Sequence, residues 1–148
     1  MEIELLKKKA FDVRKAIEDQ LAISTNIDRE LINFPSGSCE VSSEILGLYL
    51  KSIGFKNVVK CRGSRLSSDE TYTQFHLWLL VDESIIVDIT ADQFEECSER
   101  VLVVNRSKFH NTFSDIQQRE LSYENLCAPI GKGYKDFYKA VIAQLGST

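Results

Sequence analysis

The run TYTQFHLWLLVDESIIVDIT sets two β-rich stretches, 71–81 and 84–90, on either side of a very short polar connection. Such a pair forms a hairpin, and no other stretch of the chain limits the fold as sharply. Side chains alternate along a strand, so His76, Trp78 and Leu80 share one face, while Phe75, Leu77 and Leu79 share the other. In the second stretch Ile86, Asp88 and Thr90 lie together. The parity of the turn decides which of these can meet. A two-residue Asp82-Glu83 turn pairs Val81 with Ser84 and sends His76 and Asp88 to opposite faces. A three-residue turn adds Ser84, pairs Val81 with Ile85, and makes Asp88 a diagonal neighbour of His76. No glycine is present to favour the usual three-residue form.

Helical periods flank the hairpin. Ile3, Leu6, Ala10, Val13, Ile17 and Leu21 predict an amphipathic first helix. NIDRELINFPSG is an irregular connector ending in a strong turn signal, Pro35-Ser36-Gly37. The second helix opens at Ser38 or Cys39, with Ser38 as N-cap, and stops at Gly54. It is apolar on more than one side, which predicts a central position. NVVKC (57–61) and RVLVV (100–104) supply further strands, 63–70 is a polar loop, and 105–129 shows no period. Tyr134, Phe137, Tyr138, Val141, Ile142 and Leu145 form the stripe of a last helix. Helices, a meander of strands and a helix make an α+β domain with an antiparallel sheet packed on a central helix. No repeat or linker divides residues 1–148, so one domain is expected.

At 43% hydrophobic and 27% charged, 148 residues suffice for one sizeable core. A net charge of -4 argues against nucleic-acid binding. The basic run Lys7-Lys8-Lys9 falls on the first helix, where a solvated face accounts for it. No stretch approaches the roughly 18 apolar residues of a membrane span, and the N-terminal stretch lacks a signal-peptide core. A cytoplasmic location away from membranes is therefore expected. Cys39, Cys61, Cys97 and Cys127 form no C-x-x-C pair and have no ligand-spaced histidine, so no metal or other cofactor is expected.

Three residues carry a chemistry. Cys39 sits where unsatisfied backbone N–H groups and the helix dipole favour a thiolate. Its own N–H and a neighbouring one are placed to hold an oxyanion. Glu40 disfavours the thiolate and should point to solvent. His76, inside an otherwise apolar strand, is the expected base, and Asp88 orients it. Trp78 shields the pair or lines a substrate groove; Trp78 and Ser38 are the candidates for substrate contact. His110, in SKFHNTF, has no acidic or thiol partner at a telling spacing. Asp92 is the alternative acid, beyond the strand end, and Cys61, Cys97 and Cys127 are expected to be structural. Taken singly, each of the three has a plainer use: a small core residue, a satisfied strand histidine, a turn-forming aspartate. Their order along the chain favours the joint reading.

GSCEVSSEILGLYLKSIGF…VVKCRG followed by FHLWLLVDESIIVDITADQF resembles the transglutaminase-like branch of the papain-like thiol enzymes over residues 36–94. The matching elements are Gly37-Ser38-Cys39, Arg62-Gly63, His76-Leu77-Trp78 and Asp88-Ile89-Thr90. The resemblance implies a Cys-His-Asp acyl-transfer site on an α+β core, with no metal needed for the thiol chemistry. Peptidase, glutamine deamidase, transglutaminase and small-molecule acyltransferase remain open, with Asn33 and Ser36 as candidate further oxyanion donors. A protein or peptide amide or thioester is the expected substrate, with 63–70 as a lid over the cleft. The alternatives are a catalytically inactive relative acting as a small acidic partner-binding or inhibitor protein, and a thiol redox sensor.

Overall fold

In a computed structural model the chain is described for residues 2–23, 31, 33–126 and 132–146. Three helices, α1 (Glu2–Ile23), α2 (Cys39–Ser52) and α3 (Lys132–Gly146), accompany five strands: β1 (Val58–Leu66), β2 (Thr73–Val81), β3 (Ile85–Asp88), β4 (Leu102–Val104) and β5 (Ser114–Arg119). The strands form one antiparallel sheet in the order β4-β3-β2-β1-β5. The α+β class with an antiparallel sheet is as the periodicities predict. Among the described residues no helix is long and apolar enough to cross a membrane. Cys127 lies outside them.

Alternation along β2 divides the interior in two. Leu79 and Val81 join the main core, where they meet Leu6, Val13 and Ile17 of α1 and Ile45, Leu46 and Leu50 of α2. The opposite face carries a smaller cluster of Cys61, Trp78 and Phe113, edged by Leu80, Ile86, Phe94 and Phe109. The turn between β2 and β3 has three residues, since Val81 pairs with Ile85 and Leu79 with Val87. Asp82 and Glu83 take left-handed φ values of 52° and 63° without glycine, a conformation that non-glycine residues adopt uncommonly. This odd-length turn puts Asp88 on the His76 face.

Two expectations fail for identifiable reasons. Residues 63–66 belong to β1, so the polar loop shrinks to 67–72. Its tip is tied down: Asp69 Oδ1 accepts from Ser67 Oγ at 2.7 Å and Thr71 Oγ1 at 2.6 Å, and Ser67 N donates to the Tyr72 carbonyl at 2.8 Å. A bonded hairpin end is not a free lid. Within 105–129, β5 escapes the periodicity because SDIQQR is exposed along its whole length, so neither face demands apolar residues.

Buried charges connect the layers. Arg14 of α1 donates to Asp92 at 2.8 and 3.0 Å and to the Ile89 carbonyl at 2.8 Å, and stands 4.7 Å over the Phe34 ring. It ties the segment after β3 and the connector before α2 to one helix. Lys60 of β1 meets Glu44 of α2 at 2.7 Å, both buried.

Gly63, paired with His76 across the sheet, lets β5 and the aromatic cluster close in. A Cβ there would stand 2.7 Å from Ile116 Cδ1, 2.8 Å from Phe113 Cβ and 3.1 Å from Trp78 Cη2. Glycine is ordinarily the weaker strand residue. Here Gly63→Ala is expected to destabilise by about 1–3 kcal/mol, measured as a lower urea midpoint. A stability equal to or above the parent would show that the cluster yields.

Candidate active site

Cys39 is the first residue of α2 and is partly exposed, whereas Cys61 is buried. At a helix start the N–H groups of Cys39 and Glu40 have no acceptor within the helix. Glu40 is exposed, as expected, and its carboxylate approaches Lys60 at 3.6 Å. Ser38 occupies the N-cap position but makes no side-chain cap; its hydroxyl donates to the Ser36 carbonyl at 3.3 Å. At 0% exposure, Ser38 is also walled off from a substrate. Ser38 thus holds the N-cap position without the expected side-chain cap, and its burial does not fit contact with a substrate.

His76 and Asp88 meet directly. His76 Nε2 lies 2.6 Å from Asp88 Oδ2, with the two residues 0% and 2% exposed. β3 pairs with β2 from Leu79 onward and ends at Asp88. The earlier part of β2 is thereby free of a strand on that side among the described residues, and the start of α2 approaches there. The Cys39 thiol lies close enough to favour protonation of the imidazole. Nδ1 nevertheless closes no hydrogen bond of ordinary geometry among the described residues. With Nε2 engaged by Asp88, Nδ1 is the nitrogen left for the thiol. We read the contact as a loose one, a common state of catalytic pairs before substrate binds.

The electrostatics follow from burial and pairing. Loss of water alone would lower the His76 pKa. The Asp88 charge and hydrogen bond outweigh it, the thiol adds to them, and the value rises to about 9. Burial alone would raise the Asp88 pKa, but the His76 charge and bonds from both histidines pull it well below the usual carboxylate range. Asp88 Oδ1 accepts from Thr90 N at 2.9 Å, which squares the carboxylate to the hairpin.

Around this pair stand Phe94, Trp78, Phe109 and Phe113, with ring centroids 5.0 to 5.8 Å from that of His76. Trp78 is only 4% exposed. Of its two expected uses, shielding fits this placement; contact with substrate does not, because cage and sheet cover the indole. Asp92 is bound by Arg14 and does not orient His76. A cleft of about 580 Å³ lies alongside. Phe94 in its wall touches His76, and Gln93 accepts the Gly37 N–H at 3.3 Å, two residues before Cys39. Leu66 and Tyr72, both well exposed, supply its apolar lining.

His110 was not expected at the site, yet its Nε2 stands 2.7 Å from Asp88 Oδ2. No sequence spacing signals this, because the partners are 22 residues apart and joined only by the fold of the irregular segment. His76, Asp88 and His110 offer three ligand atoms within 4.8 Å of one another, a set that could hold a cation. Their separations of 2.6 and 2.7 Å are hydrogen-bond lengths. A tetrahedral zinc with ligands at about 2.0–2.2 Å would hold these atoms more than about 3 Å apart. The trio as arranged is closed on itself.

Compared with models of known protein families, with curated proteins and with solved structures, the chain gives no match. The reading of the site therefore rests on its own geometry.

The His76 shift has a consequence for stability. A histidine whose pKa rises on folding contributes fully below its unfolded value of 6.5, and that contribution disappears as pH climbs through about 9. Unfolding free energy is expected to fall by about 3 kcal/mol across this window. The lowered Asp88 pKa acts at the other end, with stability present above 3.8 and lost on acidification. Chemical denaturation from pH 6 to 10 reads the alkaline loss, and Asp88→Asn should flatten it.

Proposed function

We propose that the protein is a cysteine-dependent acyl-transfer or amide-hydrolysing enzyme, with Cys39 as nucleophile, His76 as proton carrier and Asp88 as the group that orients it. The carrying observation is the 2.6 Å bond between a fully buried His76 and Asp88 that leaves Nδ1 for the partly exposed Cys39. A papain-like arrangement of the transglutaminase-like kind, which the 36–94 motifs resemble, is the fold reading this supports.

The sequence of steps is as follows. The Cys39 sulfur attacks the carbonyl carbon of an amide, and the oxyanion meets the free N–H groups at the start of α2. As the sulfur attacks, its proton passes to His76 Nδ1; collapse then breaks the C–N bond, and the departing amine takes that proton from Nδ1 and leaves a thioester on Cys39. Water or a second amine then attacks the thioester. His76 removes the attacker's proton, and the thiol is released. Asp88 stays ionised throughout and steadies the imidazolium. A peptide or protein amide suits a nucleophile at the partly exposed start of α2; the neighbouring cleft lined by Leu66 and Tyr72 does not itself include Cys39 or His76.

Alkylation tests the nucleophile. Burial pushes the Cys61 thiol up to about 11 and raises that of Cys97, so both should react slowly. Iodoacetamide at pH 7 with peptide mapping is expected to label Cys39 at least about tenfold faster than either. Incubation with glutaminyl peptides should leave an acyl adduct on Cys39, trapped by mass spectrometry and absent from Cys39→Ala. Asp88→Asn should slow turnover by about 10²–10⁴-fold. An unselective Cys39 and no adduct would remove the enzyme reading. The exposed Leu66, Tyr72 and Phe75 favour a second reading, a partner-binding module; a tight 1:1 complex surviving Cys39→Ala and His76→Ala would establish it.

A further inference from the structure

Two histidines share one oxygen of Asp88, and their surroundings give them different work. His110 Nδ1 lies 2.6 Å from Ser107 Oγ, while that same oxygen accepts the His110 backbone N–H at 3.1 Å. An ionised Asp88 oxygen can only accept, so the ring hydrogen of neutral His110 lies on Nε2 and the Ser107 hydroxyl is the donor to Nδ1. Nε2 is then the ring nitrogen that carries hydrogen toward Asp88 Oδ2, 2.7 Å away. The ring is buried, with centroids 4.8 Å from Trp78 and 4.9 Å from Phe109. Such a group is a fixed N–H donor without a path to substrate.

We propose that His110, held by Ser107, is a positioning residue that takes up part of the accepting capacity of Asp88 and so limits how strongly the carboxylate stabilises the protonated His76 ring. An oxygen shared by two N–H donors, at 2.6 and 2.7 Å, is a weaker acceptor for each than one serving a single donor. The sharing matters because His76 must give up its Nδ1 proton to a leaving group, and an unshared buried carboxylate at Nε2 would stabilise the imidazolium too strongly. This catalytic meaning rests on the acyl-transfer reading; the bonding itself can be tested without turnover.

Among the described residues, the other groups facing the pair are these. Cys39 faces His76 from α2, and the Cys97 thiol, in the segment after β3, feels the Asp88 charge. Beyond the phenylalanines, Arg65 lies 4.5 Å from the Phe113 ring centroid and is itself paired with Glu96 at 2.9 Å. Thr90 bonds the other Asp88 oxygen.

NMR titration of the histidine rings tests the proposal directly, with Cys39 alkylation followed in parallel. The His76 ring of the wild type should titrate near 9. In His110→Phe, which keeps a ring and loses the donor, the His76 midpoint should move up by about one unit. His110→Gln, which keeps an N–H at that reach, should restore it. Ser107→Ala disturbs no core packing and should give a smaller upward move, which carries the test if His110→Phe does not fold. No displacement, or a downward one, in these variants overturns the inference. Stoichiometric zinc binding to the wild type that vanishes in both His110 variants also overturns it, in favour of a cation site. A displaced titration with an unreactive Cys39 would sink the enzyme reading alone, and a reactive Cys39 with an unmoved titration would sink this inference alone.

Discussion

A carboxylate removed from water must be met by donors or take up a proton, and Asp88 is met on both oxygens. Those donors come from β2, from the turn that follows Asp88 itself, and from the irregular segment before β5. Satisfying one buried charge therefore requires three separate pieces of chain to converge. The same convergence sets His76 with one nitrogen bound and the other turned toward Cys39. Arg14 holds the arrangement from behind. By gripping Asp92 and the Ile89 carbonyl, it fixes the residues that follow Asp88 to α1.

The sheet keeps cohesion and chemistry apart. One face packs on the helices and holds nearly all of the apolar core; the other carries the histidines, the carboxylate and an aromatic cage. Gly63 lies on the second face, where any side chain would strike Phe113 and Ile116. The cage keeps bulk water from the His76–Asp88 bond, and low polarity around it strengthens the pairing. Cys39 escapes the cage because it starts a helix that approaches β2 beyond the end of β3.

That arrangement supports the proposed acyl-transfer chemistry through the division of labour it imposes. The proposed steps bring substrate to the sulfur and to His76 Nδ1. The imidazole is reached through one nitrogen, the acid is enclosed, and His110 is positioned to act on the reaction through Asp88 alone. The cleft beside the site is bordered by a hairpin tip tied down by the Ser67, Asp69 and Thr71 hydrogen bonds.

Alternation and helical period were sufficient to place α1, α2, α3 and the β2–β3 hairpin, since each must bury a definite face and the pattern of apolar residues records which one. The hairpin's parity left two outcomes, and the left-handed Asp82 and Glu83 realise the one that brings His76 to Asp88. Local sequence could not choose, because neither residue is glycine. β5 was invisible because an exposed edge strand needs no apolar alternation. The burial of Ser38 and Trp78, expected as substrate contacts, was not legible, because burial depends on what packs above a residue, and adjacency in sequence says nothing of that. His110 depended wholly on tertiary structure: its partner lies 22 residues away, and a hydrogen bond across a fold leaves no period in the chain.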